Sequence, residues 1–98
     1  FAFWRRRRSQ PSVRNVAAPQ LRAGLYLFSS ASCATCDGAR REIVAAVGTS
    51  GFSEIVWEQQ PDLFGVIGVE AVPATLVMGE KGRGRLYPGS PRKALSNR

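Results

Sequence analysis

The spacing of apolar side chains changes period between residues 29 and 36, and the chain's two cysteines, Cys33 and Cys36, stand at the change. Upstream, Gly24 opens "LYLFSS", a run of strand-favouring residues too short for a globular helix and ended by small polar positions. Downstream, Ala39, Ile43, Val44 and Val47 recur at helical spacing and Gly48 supplies a stop. This predicts a strand, a small polar turn, and a helix from Cys36 to Val47. Its weak point is Gly38, which costs about 1 kcal/mol relative to alanine inside a helix. A second strand-like run, "FSEIVWE" at 52–58, follows the helix, and a strand reached through a helical crossover pairs in parallel with the first.

The second half completes the pattern. Pro61 and Asp62 start a short helical stretch through Leu63, Phe64 and Ile67, weakened by Gly65 and Gly68. "ATLVMGEKGRGRLYPG" divides into two strands around the glycine-rich "EKGRG", a composition suited to a hairpin. In "SPRKALSNR", Ser90 is placed as a helix cap and Pro91 at the first helical position. The predicted order is strand, helix, strand, helix, strand, strand, helix (β-α-β-α-β-β-α). An α/β domain results, with a four-stranded mixed sheet and about three helices on its faces.

Charge is distributed unevenly. The whole chain of 98 residues carries +7, yet residues 1–22 hold six arginines and no acid, whereas residues 23–98 hold eight basic and seven acidic side chains. The second part is nearly neutral, so no nucleic acid is expected to bind there. Residues 1–22 are read as a basic tail and linker, with "SQPSVRNVAAPQ" as the linker, and residues 23–98 as the folded domain. "FAFWRRRR" resembles the cytoplasmic edge of a membrane helix, with aromatics at the headgroups and arginines outside. Its four apolar residues cannot span a bilayer, which takes about 20. The expectation is a membrane-anchored chain with a cytoplasmic-facing domain, or else a soluble cytoplasmic protein with a solvated basic arm that touches anionic lipid or nucleic acid.

Four uses of the cysteine pair compete. Structural zinc takes four ligands, and a chain with two cysteines and no histidine offers that only by dimerisation, so no metal is expected. A purely structural bridge is weak, because closing so short a loop removes little chain entropy. Two buried, inert thiols are the remaining bland possibility. Against it stands the placement of Cys33 at a strand-to-helix junction, where the unsatisfied N–H groups of the helix favour a thiolate. Cys33 is then the nucleophile toward a substrate disulfide, and Cys36, one turn on, is the resolving thiol. Ser32 and Thr35 are placed to donate hydrogen bonds to that thiolate, Ser32 equally as a helix cap.

With those residues in hand, the chain resembles the thioredoxin superfamily over residues 24–95, in its minimal, glutaredoxin-sized form. The resemblance rests on "SCATC" after the first strand, on "LFGVIGVEAVPATLVMG", and on the closing "LYPGSPRKAL". It implies a thioredoxin-like three-layer fold in which Pro73 follows a cis bond and the backbone of Val72 pairs with substrate beside the nucleophile. Read by itself, Pro73 serves equally as a trans proline opening an edge strand. The chain departs from the family at Leu27, where thioredoxins bury an aspartate, at Ser32 in place of an aromatic, and at Ala34 and Thr35 between the cysteines. Glu54 and Glu58 are substitute bases, if they are more than solvated strand carboxylates. No paired glycines follow Pro73 to grip glutathione.

The resulting expectation is a thiol–disulfide oxidoreductase acting on protein disulfides. It works as a monomer through a Cys33–Cys36 disulfide with no other cofactor, and exchanges electrons with an unidentified thiol–disulfide partner. The alternative is a non-catalytic domain of the same fold that binds peptides or assembles complexes.

Overall fold

The computed structural model describes residues 13–97. The aromatic and arginine block at 1–8, and with it the membrane-edge reading, lies outside the described residues. No helix among those described is long and apolar enough to cross a membrane. The described chain is an α/β structure of five strands and three helices. The strands are β1 (Arg14–Ala17), β2 (Gly24–Ser29), β3 (Ser53–Val56), β4 (Ala74–Met78) and β5 (Arg83–Pro88), and the helices are α1 (Cys36–Val47), α2 (Pro61–Ile67) and α3 (Arg92–Ser96).

The sheet order is β1-β5-β4-β2-β3. β2 and β3 run in parallel with α1 as their crossover, and the other neighbouring pairs are antiparallel. Alternation along β2 explains how one strand serves two cores. Leu25 and Leu27 face α1 with Ala39 and Ile43, against which Val47, Val77 and Leu95 also pack. Phe28 points the other way and joins Ile55, Phe64, Ile67 and Leu76 in the cluster beneath α2. There Phe28 and Phe64 meet edge to face, ring centroids 5.0 Å apart, the arrangement their quadrupoles favour. β2 is therefore covered on both sides, as its nearly continuous apolar sequence requires.

The expected count of four strands is corrected to five. β1 comes from the stretch read as linker and pairs antiparallel with β5, from Arg14 against Leu86 to Ala17 against Arg83. It has four residues and only Val16 buried among them, too little for a detectable period of its own. Tertiary contacts hold it instead. The Arg14 guanidinium donates to the carbonyl oxygens of Ile67, at 3.0 Å, and Gly68. Those groups lie at the carboxyl end of α2, where free carbonyls attract a cation.

Other boundaries move for local reasons. The strand expected at 52–58 is regular only over Ser53–Val56. Trp57 still donates to the Ser29 carbonyl at 2.9 Å, but Gln59 and Gln60 both turn back to the Val56 carbonyl. Four residues connect β4 to β5, with Gly82 at φ +74° and its carbonyl accepting from the Ala18 N–H at 2.8 Å. α3 begins at Arg92, one residue later than expected, and the Arg92 N–H donates to Ser90 Oγ at 3.2 Å.

A charged clamp ties α1 to the far edge of the sheet. Arg40 Nε and Nη2 donate to the two carboxylate oxygens of Glu54 on β3, at 2.8 and 2.6 Å. Glu54 Oε2 also accepts from the buried Ser29 hydroxyl at 2.6 Å, and Arg40 Nη1 reaches Asp37 Oδ1 at 2.6 Å. The hydrogen bonds from Arg40 outweigh the cost of partial burial and hold the Glu54 carboxyl below the usual glutamate range. With 36% of the Arg40 side chain and 23% of Glu54 exposed, solvent screening limits this fork to about 1 kcal/mol.

Two measurements follow from this packing. Phe28→Ala empties a fully buried site and should cost about 3–5 kcal/mol in urea unfolding; a loss under half that would show that this ring is not close-packed in the cluster beneath α2. For Glu54, a folded-state pKa below the unfolded one means that its contribution is complete above about pH 4.3 and disappears as pH falls through the folded value. The stability gap between wild type and Glu54→Gln should therefore narrow on acidification from neutral pH toward about pH 3, and a gap constant over that window would contradict the clamp.

Candidate functional site

β2 delivers the chain to the site. Its last residue, Ser29, is followed by the loop 30–35, and α1 starts at Cys36. Two local backbone contacts shape that loop: the Cys33 N–H donates to the Ser30 carbonyl at 3.1 Å, and the Cys36 N–H points to the Cys33 carbonyl at 3.4 Å. Glu58, just beyond β3, clamps it from outside by accepting from the Ala31 N–H and the Ser30 hydroxyl, each at 3.0 Å. The Ala31 N–H is the main reason that the Glu58 carboxyl is held below the usual glutamate range. Glu58 is thus more than a solvated strand carboxylate.

Cys33 and Cys36 form a disulfide, their Cα atoms 5.4 Å apart. The two sulfurs have different surroundings. Cys36, the first residue of α1, is 1% exposed, and Cys33 is half-buried on the loop. Cys33 lies two residues before the helix cap, Thr35, whose Oγ1 is 3.6 Å from the Cys33 sulfur. A hydroxyl so placed can donate to a charged sulfur. Ser32 does not cap α1, which has no side-chain cap; its hydroxyl is 3.2 Å from Ser30 Oγ.

A cleft of about 540 Å³ opens beside the cysteines. Ser32, Cys33, Ala34 and Thr35 line one side of it, all four read from the sequence as site residues. Val72, the position expected to lie next to substrate, lines it as well. The Val72–Pro73 bond is cis, and the Pro73 carbonyl accepts from the Gly89 N–H at 2.9 Å, anchoring this segment to the end of β5. Topology brings these two stretches together: β2 and β4 are neighbours in the sheet, with Phe28 opposite Ala74.

Several wall residues were not legible as functional. Trp57, 50% exposed, reads in sequence as a strand residue, and only the end of β3 at Val56 turns it to the cleft. Phe64 reads as core, which it is, while also forming part of the wall. Glu70 carries no local signal at all.

Leu27 sits fully buried against Ala39 and Ile43, so this part of the α1 face is apolar. Opposite it in the sheet is Thr75, whose buried hydroxyl oxygen lacks a hydrogen-bond partner. Glu54 faces Arg40 and Ser29 instead, so its charge is committed to the clamp. Among the described residues, no group of three His, Cys, Asp or Glu side chains could hold a metal ion.

Chemically, the arrangement pairs a half-buried cysteine on the wall of a cleft large enough for a peptide segment with a sealed cysteine bonded to it at the start of α1. No protein-family model, curated protein or solved structure matches this chain.

Proposed function

We propose that the chain is a thioredoxin-like thiol–disulfide oxidoreductase that reduces protein disulfides through Cys33 and Cys36. The observation that carries this reading is the unequal exposure of the two sulfurs at the cleft. A substrate can meet Cys33, whereas Cys36 is 1% exposed. An exchange that proceeds in two displacements needs this asymmetry, because the resolving thiol must be kept from attacking substrate.

In the first displacement the Cys33 thiolate attacks one sulfur of the substrate disulfide. A mixed disulfide forms and the other substrate sulfur leaves as a thiolate. In the second, the Cys36 thiolate attacks the Cys33 sulfur, which closes the Cys33–Cys36 bond and expels the remaining substrate sulfur. The substrate gains two electrons and two protons, and the protein loses both. A small or protein dithiol must then return them. The Thr35 hydroxyl supports the charged state of Cys33, and the loop that presents it is braced by Glu58. With Leu27 at the buried position, proton transfer from Cys36 lacks a carboxylate there, which makes the second displacement the slower one.

Reduction of insulin with dithiothreitol as electron donor tests the proposal. The wild type should accelerate it, Cys33→Ser should fall to the uncatalysed rate, and Cys36→Ser should accumulate a mixed disulfide on Cys33. In the reduced protein, alkylation of Cys33 should reach half its maximal rate below about pH 8.5, the value for a free cysteine. A midpoint at or above it, together with no insulin reduction, would leave a peptide-binding domain of the same fold as the better reading.

A further inference from the structure

Resting on the oxidoreductase reading, we propose that Arg14 is a positioning residue for the peptide substrate, holding residues 69–72 of the cleft wall in place through the end of α2. Those four residues join α2 to the cis bond before Pro73 and belong to no helix or strand. All four line the cleft. A wall of irregular backbone keeps one shape only where its ends are tied down.

Both ties lead to the same ribbon of sheet. At the α2 end, Gly68 turns the chain into the left-handed region at φ +85°, and its carbonyl and that of Ile67 receive the Arg14 guanidinium. The fit is close, since a Cβ on Gly68 would lie 2.7 Å from Arg14 Nη2. At the other end, the Pro73 carbonyl accepts from the Gly89 N–H at 2.9 Å. Arg14 opens β1 opposite Leu86 of β5, and Gly89 follows the last residue of β5. The β1–β5 pair therefore grips the wall at both ends. Between those ends Val69 and Val72 pack on the cluster that also takes in Val16 of β1.

Arg14 is not among the described residues that line the cleft, so it reaches a substrate only through the wall. Its contribution falls on peptide binding and not on the exchange of sulfurs. Without the guanidinium, residues 69–72 take up more than one arrangement, and a bound peptide must restore the one that fits, which costs affinity. The cysteine loop is braced separately by Glu58, so the reactivity of Cys33 toward a small disulfide does not depend on Arg14.

The test uses the reduced full chain and two disulfides: a short peptide with one cysteine bonded to thionitrobenzoate, and the symmetric disulfide of thionitrobenzoate, which has no peptide. Attack by Cys33 on the peptide sulfur releases the coloured thionitrobenzoate, and Cys36 then attacks the Cys33 sulfur and frees the peptide thiol. The rate with the peptide, relative to the rate with the symmetric disulfide, should fall about fivefold in Arg14→Gln, the expected effect of losing the guanidinium's hydrogen bonds. The pH midpoint of Cys33 alkylation should stay where it is. Arg14→Lys should recover part of the ratio. Gly68→Ala, which displaces the guanidinium, should lower it as Arg14→Gln does, and the double variant should be no worse than either. Val16→Ala, which weakens β1 with Arg14 left in place, should keep the wild-type ratio. An unchanged ratio in Arg14→Gln, an equal slowing with both disulfides, or an equal fall in Val16→Ala would overturn the positioning role alone. A wild type no faster than free cysteine toward either disulfide would sink the oxidoreductase reading.

Discussion

Burial of β2 from both sides is the constraint on which the remaining structure depends. One face of the strand presses Leu25 and Leu27 onto α1, and the other carries Phe28 into the cluster under α2. Each face alone is a small hydrophobic core of a few side chains, too little to stabilise a domain of this size. Joined through one strand they make a three-layer sandwich, and the two helices cannot shift independently without opening a void at Phe28 or Leu27. The site inherits this rigidity. Its loop leaves the carboxyl end of the most constrained strand, and the first turn of α1 holds Cys36 against the sheet.

Polar interactions then set what happens at that end. Ser29 would be an orphaned hydroxyl beneath α1 were it not for Glu54, and Glu54 would be a poorly solvated charge were it not for Arg40. The three form one connected unit spanning β2, β3 and α1, and no member can be removed without stranding another. Glu58 performs a separate task a few residues later, on the outer side of the loop. Two carboxylates from the same short segment thus divide between holding a helix to the sheet and holding the cysteine loop to the end of β3. Leu27 is flanked in register by Glu54 on β3 and by Thr75 on β4, whose buried hydroxyl is unpaired.

Much of the architecture was readable along the chain, and the parts that were not share a cause. The β2–α1 junction, the helical start at Pro61 and the β4–β5 turn announce themselves through period, proline and glycine, which act over a few residues. β1 escaped because one buried Val16 in four residues has no periodicity, and its stability comes from β5 and from Arg14 on the end of α2. Of the cleft wall, Cys33 and Thr35 were singled out by their local pattern, and Val72 only through the family resemblance. Trp57 and Glu70 were not, since exposure at the rim of a cleft depends on where a strand stops and which loop faces it.

Local rules therefore decided the identity and spacing of the two sulfurs, the helix that follows them, and the hydrophobic alternation that sends side chains to two faces. These are consequences of covalent spacing and of the 3.6 and 2.0 residue periods. Only the assembled sheet decided that Val72, some forty positions downstream, comes to the same cleft as Cys33, that Cys36 is sealed while Cys33 is not, and that Glu54 binds Arg40 instead of water. Those facts depend on strand order and on desolvation, which arise from contacts between distant segments and leave no pattern in any short stretch of sequence.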